Sequence, residues 1–98
     1  MSAGTRQPVR SARFKYDAAV DALYIKLSSN PVASTVEIDE DTNVDLAASG
    51  ALVGIEVLNP DRPWPLHRIL NRYAISDADA VMLMAAYPSP VRQRGWAS

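Results

Sequence analysis

The sequence predicts an α+β domain: an antiparallel β-meander of about five short strands, with two short C-terminal helices packed on it. Three observations lead there. From residue 13 to residue 58, apolar and polar side chains alternate with period two, the period of a half-buried strand. Clusters of Asp, Ser, Asn, Pro and Gly interrupt that alternation every few residues, as turns do. Past Asn59 three prolines close the strand region, and the apolar spacing switches to the i, i+3, i+4, i+7 stripe of a helix.

The elements follow in order. Residues 1–12 are small, polar and basic, and read as a flexible arm. Phe14 and Tyr16 alternate with Arg13, Lys15 and Asp17 in a first strand. The short stretch Asp17–Asp21 turns the chain into Ala22–Leu27, where Leu23, Ile25 and Leu27 share a face. Ser28-Ser29-Asn30-Pro31 is a turn, and Ser34–Ile38 follows with Val36 and Ile38 together. Asp39–Thr42 turns into Asn43–Leu46, and Ala48-Ser49-Gly50 forms a loop whose glycine can take positive φ. Leu52–Leu58 ends the series with Val53, Ile55 and Val57 on one face, and Gly54 in mid-strand predicts a bulge or a close approach by another element. Pro65 suits a helix start, before the stripe Leu66, Ile69, Leu70 and Tyr73. Ser76, with Asp79 three residues on, begins a second helix that runs to Pro88. The single domain thus spans 13–87, and 88–98 reads as a flexible tail. The predicted core is Leu23, Ile25, Leu27, Val36, Ile38, Val44, Leu46, Val53, Ile55 and Val57, covered by Leu66, Ile69, Leu70, Val81 and Leu83.

Composition narrows the function classes. A chain of 98 residues with 48% apolar and 21% charged side chains is one ordinary globular domain. There is no cysteine, so no disulfide or thiolate chemistry is available, and a reducing cytoplasm suits the chain. The N-terminal segment lacks the apolar stretch of a secretory signal, and Ala80–Tyr87 is far shorter than the roughly 20 residues that cross a bilayer. No membrane association is expected. Charge is unevenly placed: residues 16–61 hold nine acids against Lys26 alone, while both flanking segments are basic. An acidic middle argues against nucleic acid on the sheet and is compatible with a basic protein partner, as well as with a solvated acidic face that the basic ends neutralise.

Chemistry-bearing motifs are sparse. Asp39, Asp41, Asn43 and Asp45 have the spacing of a calcium loop, but Val44 and Gly50 stand where that loop needs glycine and a bidentate glutamate. His67 is the only histidine and points away from its helix's apolar stripe, so neither a serine–histidine pair nor a zinc site is expected. No phosphate-binding glycine loop is present, and no cofactor or metal is expected. The two helices have a helix-turn-helix outline, yet the second carries Asp77 and Asp79 with an apolar remainder and is no recognition helix. Asp17, Asp21, Asp45 and Glu56 are the carboxylates that adjacent strands could bring together, as an acid–base pair of a small hydrolase-type enzyme. Each also has a structural role available, capping a turn or lining a polar strand face, and no catalytic residue is assigned.

The run from Tyr16 to Leu27 (YDAAVDALYIKL), with Asp45, Gly50 and Val53-Gly54-Ile55-Glu56-Val57-Leu58, resembles a bacterial family known as domain of unknown function 2283. The likeness covers roughly Arg13 to Leu58, and Ala47 departs from it where members often carry another acid. The resemblance implies a compact β-rich domain. Relatives often lie beside small toxin-like genes, which implies an antitoxin-like, partner-binding role. The expectation is therefore a non-catalytic interaction domain, a homodimer with Trp64, Tyr24 and Met84 as anchors. Its functional surface would comprise Asp17, Asp21, Tyr24, Asp45 and Glu56.

Overall fold

The structure, a computed structural model, describes residues 13–87, with the side chain of Ala86 excepted; the predicted arm and tail lie outside the described residues. Five strands form one antiparallel sheet: β1 (Arg13–Asp17), β2 (Ala22–Lys26), β3 (Ser34–Asp39), β4 (Thr42–Leu46) and β5 (Leu52–Leu58). Two helices follow, α1 (Leu66–Arg72) and α2 (Asp77–Ala86). The α+β expectation holds, as do the strand positions, to within a residue at each end.

Across the sheet the order is β1-β2-β5-β4-β3. The meander holds within two runs, β1–β2 and β3–β4–β5, and β5 pairs with β2 to join them. Residues 27–33 make this possible. They leave β2 by donating Leu27 and Ser28 N–H to the Val53 carbonyl, cross the sheet end, and reach β3 where Ala33 N–H meets the Leu46 carbonyl. β5 thereby becomes the central strand, which explains its near-continuous burial.

Register places the side chains. Tyr16, Leu23, Val57 and Thr42 form one row on the inner face, and Phe14, Ile25, Ile55, Val44 and Val36 form the next. Leu23, Ile25, Val44, Ile55 and Val57 are fully buried. Leu66, Ile69, Leu83 and Trp64 close over them from the helical segment. A pairing irregularity after Asp45 brings Leu46 opposite Leu52. Leu52 consequently joins the core cluster in place of the predicted Val53, which is buried apart from it.

The helix starts behave as predicted. Pro65 precedes α1, and the Ser76 hydroxyl accepts the Asp79 N–H to cap α2. Two cover residues differ from expectation. Val81 is 66% exposed, because α2 is apolar at nearly every position after Asp79 and offers no stripe to select its inward face. Trp64, expected as a surface anchor, is buried, its ring meeting Tyr87 edge-on at 5.2 Å between centroids.

Candidate functional site

The helix-free outer face of the sheet carries two neighbouring groups of hydrogen-bonded polar side chains. Tyr24 on β2 lies across the central strand over Gly54, and its hydroxyl donates to Asp45 Oδ2 on β4 at 2.8 Å. The Thr35 hydroxyl on β3 donates to the other oxygen, Oδ1, at 2.6 Å. One residue pair further along, Asn43 Nδ2 donates to Glu56 Oε1 at 3.2 Å. A Cβ at position 54 would overlap the Tyr24 ring, whose Cε2 would stand 3.0 Å away. Gly54 is therefore the gap through which β2 reaches β4, the close approach that a mid-strand glycine predicts. Burial pushes the Tyr24 phenol above its ordinary pKa of 10, helped by the bond to Asp45 and the charges of Asp45 and Glu56. A phenol held in that form is a donor rather than a nucleophile at neutral pH.

A second concentration of charge lies at one end of the sheet. The β1–β2 turn, the β3–β4 turn and the segment after β5 meet there, tied by Asn59 N–H to the Asp21 carbonyl (2.9 Å) and Leu58 N–H to the Asp41 carbonyl (2.8 Å). These three segments bring Asp17, Asp21, Asp39, Glu40, Asp41 and Asp61 together from distant parts of the chain. Asp17 and Asp39 each accept the N–H two residues on, at 3.0 and 2.9 Å, which fixes the turns. Asp21 adopts φ +51 and accepts the Tyr16 hydroxyl at 2.6 Å. That bond chiefly raises the Tyr16 pKa, with burial and the charges of Asp21, Asp61 and Asp17 adding to it. Two cations stand nearby: Arg62, and Arg68, whose guanidinium donates to the Ile38 carbonyl at 3.0 Å.

An open cleft of ≈ 370 Å³ is set into this end, between the Asp39-Glu40-Asp41 turn and the segment Leu58–Trp64. Thr42, at the start of β4, lines it. Thr42 is 1% exposed, and its Oγ1 has no hydrogen-bond partner among the described residues.

The predicted surface residues fall into two groups. Tyr24, Asp45 and Glu56 meet on the outer face, whereas Asp17 and Asp21 belong to the acidic end beside Tyr16. None of the four carboxylates proposed for an acid–base pair lines the cleft. The run that spaces like a calcium loop is divided: Asp39 and Asp41 stay in the turn, Asn43 binds Glu56, and Asp45 binds Tyr24 and Thr35. Among the described residues no three His, Cys, Asp or Glu side chains are grouped to hold a metal ion. His67 is exposed, and no described helix is long and apolar enough to cross a membrane. The cleft was absent from the sequence reading, although one signal for it existed: Thr42 shares its parity with Val44 and Leu46, which places its hydroxyl on the inner face.

No curated protein and no solved structure matches the chain. A family model described as protein of unknown function (DUF2283) matches residues 13–59, the span that holds all five strands and the Tyr24–Gly54–Asp45 crossing. On that match the chain belongs to the DUF2283 family.

Proposed function

We propose that this protein is a non-catalytic interaction domain that binds a basic protein partner, in an antitoxin-like role, through the acidic end of its sheet. The observation that carries this reading is the convergence of Asp17, Asp21, Asp39, Glu40, Asp41 and Asp61 on one end, with two cations beside them. Like charges so gathered repel one another, and a basic surface relieves that repulsion on binding. The outer face adds polar contacts beside the same end, since Glu37 pairs in register with Asn43 and Asn43 with Glu56. The two carboxylates of that face nearest its centre, Asp45 and Glu56, already hold Tyr24, Thr35 and Asn43, so their first role is to order the sheet. Exposed Val81 and Met84 on α2 support self-association of the domain as a homodimer.

The test is purification of the full chain from its native host, with mass spectrometry of what accompanies it and light scattering of the complex. A basic protein should be recovered on a dimer of the chain. Replacing the exposed Glu37 and Glu40 by lysine should slow its association roughly tenfold or more at low salt while leaving the fold intact. The effect should shrink as ionic strength brings the screening length down to about 8 Å. Recovery of no basic protein, or binding that ignores both reversals, would refute the reading.

A further inference from the structure

The outer face of the sheet is divided by charge. Its β1–β2 half carries Arg13, Lys15 and Lys26, its β4–β3 half carries Asp45 and Glu37, and Glu56 stands between them on the central strand. All three cations are exposed, and none of them forms an ion pair among the described residues. Register sets the two halves in line. Lys15 and Glu37 end one row of paired residues at opposite edges of the sheet, and in the next row Lys26 and Asp45 flank Gly54. A half-turn about the direction of β5 therefore carries the basic half onto the acidic half and the acidic half onto the basic one. A face with that property is complementary to a second copy of itself.

We infer that the outer face pairs with the outer face of a second copy, about a two-fold axis parallel to β5. That axis sets Lys15 of one protomer against Glu37 of the other and Lys26 against Asp45, and each contact is made twice, as in any isologous interface. The other possible axis, across the strands, would place β1 on β1 and cation on cation, so charge selects between the two. Aligned sheets pack about 10 Å apart, a gap that lysine and glutamate bridge from its two sides. The Tyr24 ring, lying over Gly54, supplies apolar area near the axis.

Two features limit the affinity. Five strands about 4.8 Å apart, with two complete rows and part of a third about 7 Å apart, make a face of roughly 400 Å². That is about half of the ~800 Å² that each partner buries in an interface of standard size. Glu56 also meets its own copy on the axis, and the acidic ends of both protomers fall at the same end of the pair. The dimer is therefore weak, and it presents a doubled acidic end. This deepens the proposed homodimer, on which it rests, by naming the face that closes it, and it does not require the basic partner.

The experiment is sedimentation equilibrium of the purified full chain without other proteins, over a range of chain and salt concentrations. The unaltered chain should dimerise reversibly, and more tightly at low salt. Lys15→Glu and Glu37→Lys should each weaken the dimer roughly tenfold or more, because each makes two attractive contacts repulsive. A chain carrying both changes keeps its net charge and should recover the original affinity to within about threefold. An equimolar mixture of the two single variants should recover it likewise, as a heterodimer. Glu56→Gln should tighten the dimer about threefold, since the repulsion on the axis goes while Asn43 keeps its acceptor. Met84→Glu, on the exposed side of α2, should change nothing. A chain that is monomeric at every concentration removes both the homodimer and this face. A dimer that ignores the Lys15 and Glu37 changes, that the double exchange fails to restore, or that Met84→Glu dissociates overturns the face and leaves the homodimer standing.

Discussion

Replacing Gly54 by alanine should destabilise the domain through one side chain on the neighbouring strand. The added Cβ occupies the place of the Tyr24 hydroxyl and ring edge, so the ring must leave its position over β5. Its bond to Asp45 then breaks. Hydrogen bonds to charged partners contribute about 1.5–3 kcal/mol, and this half-exposed pair belongs at the low end. Alanine returns about 0.5–1 kcal/mol, since glycine in a strand interior has more conformational freedom to lose on folding. The net loss is about 1 kcal/mol, or a fall of about 4–8 °C in the melting temperature of a domain this size. Urea denaturation of a double-mutant cycle with Tyr24→Val isolates the cause. Once the ring is gone, Gly54→Ala should be neutral or stabilising, giving a coupling energy of about 1.5–2 kcal/mol. An equal loss in both backgrounds would refute the crossing as the reason for the glycine.

Two further expectations concern polar groups held in a fixed state. Folding raises the Tyr24 and Tyr16 pKa values above 10, so the folded chain keeps protons that the unfolded chain releases. This contribution is present in full below pH 10 and is lost as pH climbs from there toward the higher folded values; urea midpoints should fall above about pH 10, less steeply in Tyr24→Phe, and an unchanged slope in that variant would contradict the assignment. Thr42→Val should raise stability by about 1 kcal/mol, because it removes a buried, unpartnered hydroxyl at constant shape. A loss of stability on thermal denaturation would mean that the hydroxyl has a partner within the fold.

Local features of the fold were legible and long-range ones were not. Period-two alternation places Leu23, Ile25, Val44, Ile55 and Val57 on one face whichever strands are neighbours. It carries no information about which neighbours they have, so the central position of β5 could not be read. The irregularity beside Asp45 exchanges Leu52 for Val53, a shift that alternation cannot register. Gly54 was legible as a close approach, since a strand interior has little other use for glycine, but the ring that fills the gap was not. The acidic end was hidden for a topological reason: its carboxylates come from residues 17–21, 39–41 and 61, and only the β2–β5 and β4–β5 pairings bring those turns together. On the linear chain they look like a diffuse acidic middle, and that reading assigned the charge to a face rather than to an end.

The two polar sites differ in what they ask of the fold. On the outer face Asp45 and Glu56 accept hydrogen bonds from three side chains, and those bonds span the sheet from β2 to β3. Their residues, with Gly54, all lie inside the span matched by the family model. At the acidic end, Glu40, Asp41 and Asp61 accept no side-chain bond among the described residues, Thr42 leaves its hydroxyl unused, and Asp21 holds a left-handed backbone. Each of these costs stability rather than adding it. In a small domain with one modest core such features draw on a narrow margin of stability. The cleft also has one wall inside the matched span, at Asp39–Thr42, and another beyond it, at Arg62–Trp64. The crossing thus lies wholly within the family segment, whereas the cleft at the acidic end is built jointly by that segment and by the proline-rich residues that follow it.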